Sequence, residues 1–244
     1  MHSVVVTGGS RGLGLGVVRR LAADGYRVVA IARQSNDQLA AARTDIERSG
    51  SGALEFVPFD LSDIDGIPNL VKRLRKEIGP IHGLVNNAGI GLDGALANMH
   101  NSQIERMIRL NTVSPIVLTK YVVRYMMADG GGRVVNVASI VAFTGYSGLS
   151  VYAATKASLV GFTRSLAREV GRLGVNVNAI APGFVETEMT HGLEGERRDQ
   201  VVRRSALHRL VGVDDVANAV AYLIGPQSKN VTGTVMTVDA GATA

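Results

Sequence analysis

The sequence of 244 residues contains no cysteine and no tryptophan, and only 5% of its residues are aromatic. Without cysteine the chain cannot form a disulfide scaffold, a cysteine-ligated zinc or iron–sulfur site, or a thiol nucleophile. The sequence also lacks an apolar run of the ~18–20 residues that span a bilayer. Its first residues show no basic region or cleavage site of a signal peptide. We therefore expect a cytoplasmic protein with no membrane segment.

A concentrated positive surface with interleaved aromatic residues, typical of nucleic-acid binding, is also lacking. Lysine and arginine total 26, aspartate and glutamate total 21, and the formal net charge is +5. The cations are densest at residues 19–20, 72–76 and 197–204, where no aromatic residue interleaves with them. We expect solvated helix faces and a positive field that suits an anionic small molecule, without a nucleic-acid partner. The five histidines show no metal-ligand spacing, so no metal site is expected.

Apolar residues are abundant, at 46% of the chain, and many fall in short β-branched runs that alternate with helical segments. These runs are apolar throughout, which is typical of parallel strands covered on both faces. The pattern predicts the α/β class, with a Rossmann-like doubly wound parallel sheet in one domain over residues 1–244. We expect one helix over residues 103–127, kinked at Pro115. The polar segment 184–210 is expected to form a substrate lid, with an ordinary surface insertion as the alternative.

A glycine-rich turn follows the first predicted strand and opens a helix: Thr7-Gly8-Gly9-Ser10-Arg11-Gly12-Leu13-Gly14. Backbone N–H groups and the helix dipole at such a turn favour an anion. The spacing matches neither Gly-x-Gly-x-x-Gly nor the Walker loop. Arg33 ends the second strand, where NAD sites usually place an acidic residue. Arg33 and Arg11 suit a ribose 2′-phosphate, so the sequence predicts NADP(H) as cofactor.

The segment after the fifth predicted strand combines the groups needed for proton transfer. Tyr152 and Lys156 are spaced i, i+4 and share one helix face. A free phenol has a pKa of ~10, and a nearby ammonium should lower it. Tyr152 is thus a candidate general acid for a carbonyl oxygen that develops charge as hydride arrives at carbon. Ser139, at the end of the fifth strand, could polarise the same oxygen.

The order of these motifs resembles the short-chain dehydrogenase/reductase family from Val4 to Gly241. The landmarks are the glycine turn, Asp60, Asn86-Asn87-Ala88-Gly89, Asn111, Ser139, Tyr152 with Lys156, and Pro182-Gly183 leading to Thr187. The resemblance implies a seven-stranded parallel sheet in the order 3-2-1-4-5-6-7 and a homotetramer.

The resemblance also implies residue roles. Tyr152 would be the acid/base, Lys156 would bind the nicotinamide ribose and lower the pKa of Tyr152, and Ser139 would orient the substrate carbonyl. Asn111 would hold a water that links Lys156 to solvent. The implied cofactor contacts are Gly8, Ser10, Arg11, Gly12, Leu13, Gly14 and Arg33, Asp60 and Leu61 at adenine, Asn87, Ala88 and Gly89 at the adenosine ribose, and Pro182, Gly183, Val185 and Thr187 at nicotinamide.

Within the family, residues 165–170 and 181–190 resemble the β-ketoacyl carrier-protein reductases of fatty-acid synthesis. This implies NADPH-dependent reduction of 3-oxoacyl thioesters, with an acyl carrier protein as a candidate partner. The group often carries cations just before the fifth strand, whereas residues 128–132 here are Ala-Asp-Gly-Gly-Gly, which leaves Arg168 and Arg172 for carrier contact. The alternatives are an acetoacetyl-CoA reductase, a dehydrogenase of another alcohol, sugar, steroid or polyketide ketone, and a cofactor sensor without catalysis.

Overall fold

Seven parallel strands form one sheet in the order β3-β2-β1-β4-β5-β6-β7. A computed structural model describes residues 1–186 and 195–244 of the chain. The strands are β1 Ser3–Thr7, β2 Arg27–Ala32, β3 Ala53–Pro58, β4 Ile81–Asn86, β5 Gly132–Val137, β6 Val175–Pro182 and β7 Val235–Val238. The predicted fold class and strand order are confirmed.

Helices connect the strands and cover both faces of the sheet. They are α1 Gly12–Ala23, α2 Asp37–Ser49, α3 Ile67–Ile78, α4 Asn101–Ile108, α5 Ser114–Ala128, α6 Ser150–Val170, α7 Glu196–Arg204 and α8 Val213–Ile224. None of the described helices is long and apolar enough to cross a membrane.

The apolar strands divide their side chains between two cores, because successive residues of a strand point to opposite faces. Val4 and Val6 of β1 pack with α1, α2 and α8 on one face. Val5 packs with α3, α5 and the end of α6 on the other face. All three valines are fully buried. Burial on both faces is the physical reason why the strands are apolar without alternation.

The long helix predicted over residues 103–127 is confirmed in its extent, but a π turn interrupts its α-helical hydrogen-bond pattern. The structure has α4, one π-helical turn at Arg109–Val113, and then α5. Pro115 lies in the first turn of α5, where its missing N–H removes no hydrogen bond of that helix. The irregularity is therefore the π turn before the proline, and this turn contains Asn111.

The segment after β6 is described on both sides of residues 187–194. Val185 pairs with Val211, which closes the base of the segment, and α7 lies between them. The backbone N–H of Leu207 donates to the carbonyl of Ala240 (3.0 Å), just beyond β7. The predicted lid over 184–210 thus starts and ends at the carboxyl edge of the sheet, and its movement stays a prediction.

The opposite edge of the sheet carries a cluster of rings around His82, at the start of β4. The His2 ring lies 4.4 Å from the His82 ring, and the Tyr26 ring lies 6.2 Å from it, measured between centroids. Burial lowers the pKa of His82 below 6.5, and the nearby His2 and Arg133 lower it further. The folded protein therefore holds His82 in its neutral form.

Acidification should destabilise the protein through His82. Between the unfolded pKa near 6.5 and the lower folded pKa, the unfolded chain binds a proton that the folded chain does not. The free energy of unfolding should thus fall from about pH 7.5 to about pH 5.5. Denaturant unfolding of wild type and His82→Gln at both pH values should show a smaller loss for the variant. An equal loss in the two proteins would contradict this prediction.

Candidate active site

The predicted site residues meet at one edge of the sheet. Because all seven strands are parallel, the segments after them lie together at their carboxyl ends. The glycine turn follows β1, Arg33 follows β2, Asp60 and Leu61 follow β3, Asn87, Ala88 and Gly89 follow β4, Ser139 follows β5, and Gly183 and Val185 follow Pro182 at the end of β6. Thr187 lies outside the described residues.

The glycine turn is shaped for close approach of backbone to a ligand. Gly8 and Gly12 have φ of +66° and +52°, a conformation that side chains disfavour. A Cβ on Gly14 would lie 2.1 Å from the carbonyl oxygen of Gly8. Arg11, the N-cap of α1, supplies no side-chain cap, so the first N–H groups of the helix remain for an anion. This cradle fits the pyrophosphate of a dinucleotide.

A threonine hydroxyl joins the two central loops of the site. Thr7 Oγ1 accepts hydrogen bonds from the backbone N–H groups of Asn87 and Ala88, both at 3.0 Å. The Asn87 amide donates to the carbonyl of Thr7 (2.9 Å) and to that of Gly8 (3.3 Å). Asn87 therefore fixes the glycine turn, a role that is additional to the predicted ribose contact. Sequence reasoning placed Thr7 at the strand end without assigning this function.

Arg33 and Asp60 lie near each other in the segments that follow β2 and β3. The Asp60 carboxylate accepts hydrogen bonds from the hydroxyl (2.7 Å) and N–H (2.9 Å) of Ser62. These bonds lower the pKa of Asp60, and Arg33 and Arg106 lower it further. Arg33 is exposed at the carboxyl end of β2, so its guanidinium group is accessible to an anionic ligand.

Tyr152 and Lys156 lie one turn apart on α6. Lys156 is only 5% exposed, and its Nζ donates to the carbonyl of Val137 at the end of β5 (2.8 Å). The same nitrogen lies 5.6 Å from the centroid of the Tyr152 ring. The predicted shared helix face is therefore confirmed, and the ammonium group is tied to the strand that precedes Ser139.

The expected lowering of the Tyr152 pKa by Lys156 is wrong for this structure. Burial raises the pKa of Tyr152 to about 12 and lowers that of Lys156 to about 8. Desolvation by burial disfavours the charged form of each group and is the cause of both shifts. The sequence showed the spacing of the pair but not that the fold would bury Lys156 almost completely.

Asn111 lies in the π turn and is 1% exposed. Its side-chain amide accepts from the N–H of Ile90 (2.9 Å), donates to the Ile90 carbonyl (2.8 Å) and donates to Thr155 Oγ1 (3.2 Å). A Cβ on Gly89 would lie 3.2 Å from Asn111 Oδ1 and 3.7 Å from Lys156 Nζ. The structure thus brings Asn111 beside Lys156, while its side chain holds the loop after β4 against α6.

Ser139 caps the short helical turn that follows β5, and its hydroxyl accepts from the N–H of Val141 (3.4 Å). The side chain is half-buried, at the same edge as Tyr152. On the next loop, the Phe184 ring lies 5.4 Å from the Tyr146 ring between centroids. The loops after β5 and β6 therefore meet through an aromatic contact beside the site.

This fold and this arrangement define a nucleotide-dependent oxidoreductase, and the comparison with known families agrees. The family profile described as "short chain dehydrogenase" matches residues 2–198. The chain belongs to the short-chain dehydrogenase/reductase family.

Similar proteins include carrier-protein reductases. The chain is 37% identical over 238 residues to the 3-oxoacyl-[acyl-carrier-protein] reductase FabG of Escherichia coli K12, covering 97% of this chain and 95% of that one. It is 39% identical over 236 residues to the human 3-oxoacyl-[acyl-carrier-protein] reductase, with the same coverage. A short chain dehydrogenase from Burkholderia cenocepacia J2315, solved in complex with NADP, superposes with a TM-score of 0.91 at 36% identity, covering 100% of this chain and 98% of that one.

Replacing Gly14 by alanine should disrupt the cradle, because the added Cβ would collide with the Gly8 carbonyl. Titration with NADPH should show affinity reduced by at least about tenfold, equivalent to roughly 1.4 kcal/mol. Gly161→Ala is the matched control, since a Cβ there would contact nothing within 4 Å in exposed α6. The control should bind normally and gain roughly 0.5–1 kcal/mol of stability. Normal NADPH binding by Gly14→Ala would contradict the assigned cradle.

Proposed function

We propose that this protein is an NADPH-dependent reductase of 3-oxoacyl thioesters, of the 3-oxoacyl-[acyl-carrier-protein] reductase type. The observation that carries the proposal is the pair of half-buried Tyr152 and buried Lys156, one helical turn apart beside the end of β5. This pair stands at the same sheet edge as the glycine cradle and Ser139. The similarity to carrier-protein reductases over 97% of the chain supports the substrate class.

The cofactor is NADP(H), which supplies the hydride when it is bound. The glycine cradle binds its pyrophosphate, and Arg33 with Arg11 binds the ribose 2′-phosphate by charge-assisted hydrogen bonds. Asp60 and Leu61 line the adenine side, and the segment from Pro182 to Val185 borders the nicotinamide side. The NADP complex of the Burkholderia relative supports this choice.

The chain's own residues position the carbonyl and deliver the proton. Ser139 donates a hydrogen bond to the carbonyl oxygen, and Tyr152 gives that oxygen its proton as negative charge develops there. Lys156 holds the nicotinamide ribose hydroxyls. Asn111 holds a water that returns a proton towards Lys156. Lid closure over 184–210, a homotetramer and a cytoplasmic location, with a role in fatty-acid synthesis, complete the proposal.

Removing the Tyr152 hydroxyl should abolish most turnover. We expect Tyr152→Phe to lower kcat by about a hundredfold or more, because no other group replaces the general acid. NADPH oxidation with acetoacetyl-CoA and with a 3-oxoacyl carrier protein measures this, and NADPH titration should show unchanged binding. Tyr222→Phe, on the exposed side of α8, is the control and should keep full activity. Wild-type kcat in Tyr152→Phe would overturn the mechanism.

Charge reversal at Arg33 should change cofactor preference. Loss of a hydrogen bond between charged groups is worth roughly 1.5–3 kcal/mol. The KM for NADPH should therefore rise at least about tenfold in Arg33→Asp, while that for NADH should not rise. Arg43→Asp, on the exposed face of α2, makes the same charge change away from the cleft and should leave both constants unchanged. A wild-type preference for NADH would show that the cofactor assignment is wrong.

A further inference from the structure

The segment that ends the predicted lid is rich in arginine. Residues 195–210 carry five arginines against only Glu196 and Asp199, in a chain whose net charge is +5. We name four exposed members the arginine ridge: Arg198, Arg203, Arg204 and Arg209. Leu207, in the same segment, is 58% exposed. The ridge thus combines concentrated positive charge with an exposed apolar side chain.

Only one of these four arginines forms an ion pair within the described chain. Arg198 pairs with Glu186 (2.7 Å), and both side chains are at least half exposed. Within residues 1–186 and 195–244, no ion pair involves Arg203, Arg204 or Arg209. Exposed arginines that form no ion pair within the described chain can interact with a negatively charged partner molecule.

The ridge stands next to the candidate active site. Leu207 is hydrogen-bonded through its backbone to Ala240 (3.0 Å), and Ala206 is bonded in the same way to Gly241 (3.3 Å). The preceding residue of that tail, Asp239, packs so close to Gly183 that a Cβ on Gly183 would lie 2.9 Å from its Cα. The ridge is therefore joined, through the tail beyond β7, to the loop that follows β6 at the site.

Other cations suggested by the sequence lie elsewhere in the chain. Arg168 is near the end of α6 and Arg172 in the turn before β6, so both lie towards the amino edge of the sheet. At the same edge, Arg75 forms an ion pair with Asp129. Because the two charges cancel, this pair adds no net positive charge to the region before β5. On one chain, the ridge thus adjoins the site on the side of β6 and β7, apart from Arg11, Arg33 and Arg106 on the side of β1 to β3.

We propose that the arginine ridge, together with Leu207, is the docking surface for an acidic carrier protein that presents the thioester. This inference rests on the proposed function. Carboxylates of the partner would face the arginines, and an apolar partner residue would cover Leu207. A second copy of this chain is a poor occupant, because a two-fold contact would oppose arginines to arginines.

The test compares the variant Arg203→Glu/Arg204→Glu with wild type on three substrates: a 3-oxoacyl carrier protein, the matching CoA thioester, and uncharged ethyl acetoacetate. We expect the KM for the carrier substrate to rise by roughly tenfold or more, because repulsion opposes encounter. The kcat/KM for ethyl acetoacetate should not change, which also shows that the variant is folded. The wild-type KM for the carrier substrate should rise with ionic strength.

Two further variants sharpen the test. Lys72→Glu/Arg73→Glu makes the same charge change on exposed α3 and should leave all three substrates unaffected. Leu207→Ala removes the apolar side chain without changing charge, and it should raise the KM for the carrier substrate alone.

Four outcomes would overturn the docking surface. Unchanged kinetics of the ridge variant on the carrier substrate would do so directly. An equal loss on the CoA thioester would assign the ridge to phosphate groups instead of protein. Loss of carrier turnover in Arg168→Glu/Arg172→Glu, with the ridge variant unaffected, would move docking to α6. Reduction of ethyl acetoacetate without reduction of any 3-oxoacyl thioester by wild type would instead refute the proposed function, and the docking proposal with it.

Discussion

The hydroxyl of Thr7 joins the loop after β1 to the loop after β4, and the candidate site depends on this connection. In the order 3-2-1-4-5-6-7 the chain reverses its winding between β1 and β4, and the loops after these strands must separate there to leave a crevice. Thr7 Oγ1 accepts two backbone N–H groups from the β4 loop, and Asn87 returns a side-chain hydrogen bond to the β1 loop. The loops after β1 and β4 are therefore fixed to each other by these hydrogen bonds.

Burial, more than charge pairing, sets the properties of the proton-transfer groups. An ammonium group at 5% exposure is costly, and the Val137 carbonyl supplies a compensating hydrogen bond. This contact ties the lysine to β5, so the position of Lys156 is fixed by the sheet and by the helix together. The same desolvation raises the pKa of Tyr152, which keeps its proton on the phenol before reaction. A tyrosine that acts as an acid requires that protonated form.

Much of the fold could be predicted from local sequence patterns, because the apolar strands and the helices between them each have a characteristic sequence pattern. The glycine turn, Tyr152 with Lys156, and Ser139 were identified because their chemistry depends on residue type and spacing, and the sheet topology brings them to one edge. The π turn at 109–113 was missed, since it depends on a contact between Asn111 and the distant Ile90. The bond from Lys156 to Val137 was missed for the same reason, because no periodicity encodes a tertiary contact.

Residues at the amino edge of the sheet contribute mainly to stability, whereas residues at the carboxyl edge form the candidate site. At the amino edge, His82, Tyr26 and Arg133 pack in a partly buried cluster whose polar groups face one another, so changes there act mainly on folding. At the carboxyl edge, the polar groups are arranged around a crevice, and the arginine ridge beside it forms few ion pairs within the described chain. Arginines that form no ion pair within the described chain, and that lie beside a crevice, are available to a partner that arrives with the substrate. The proposed docking of a carrier protein uses this availability, together with the backbone hydrogen bond that ties Leu207 to Ala240 beside the site.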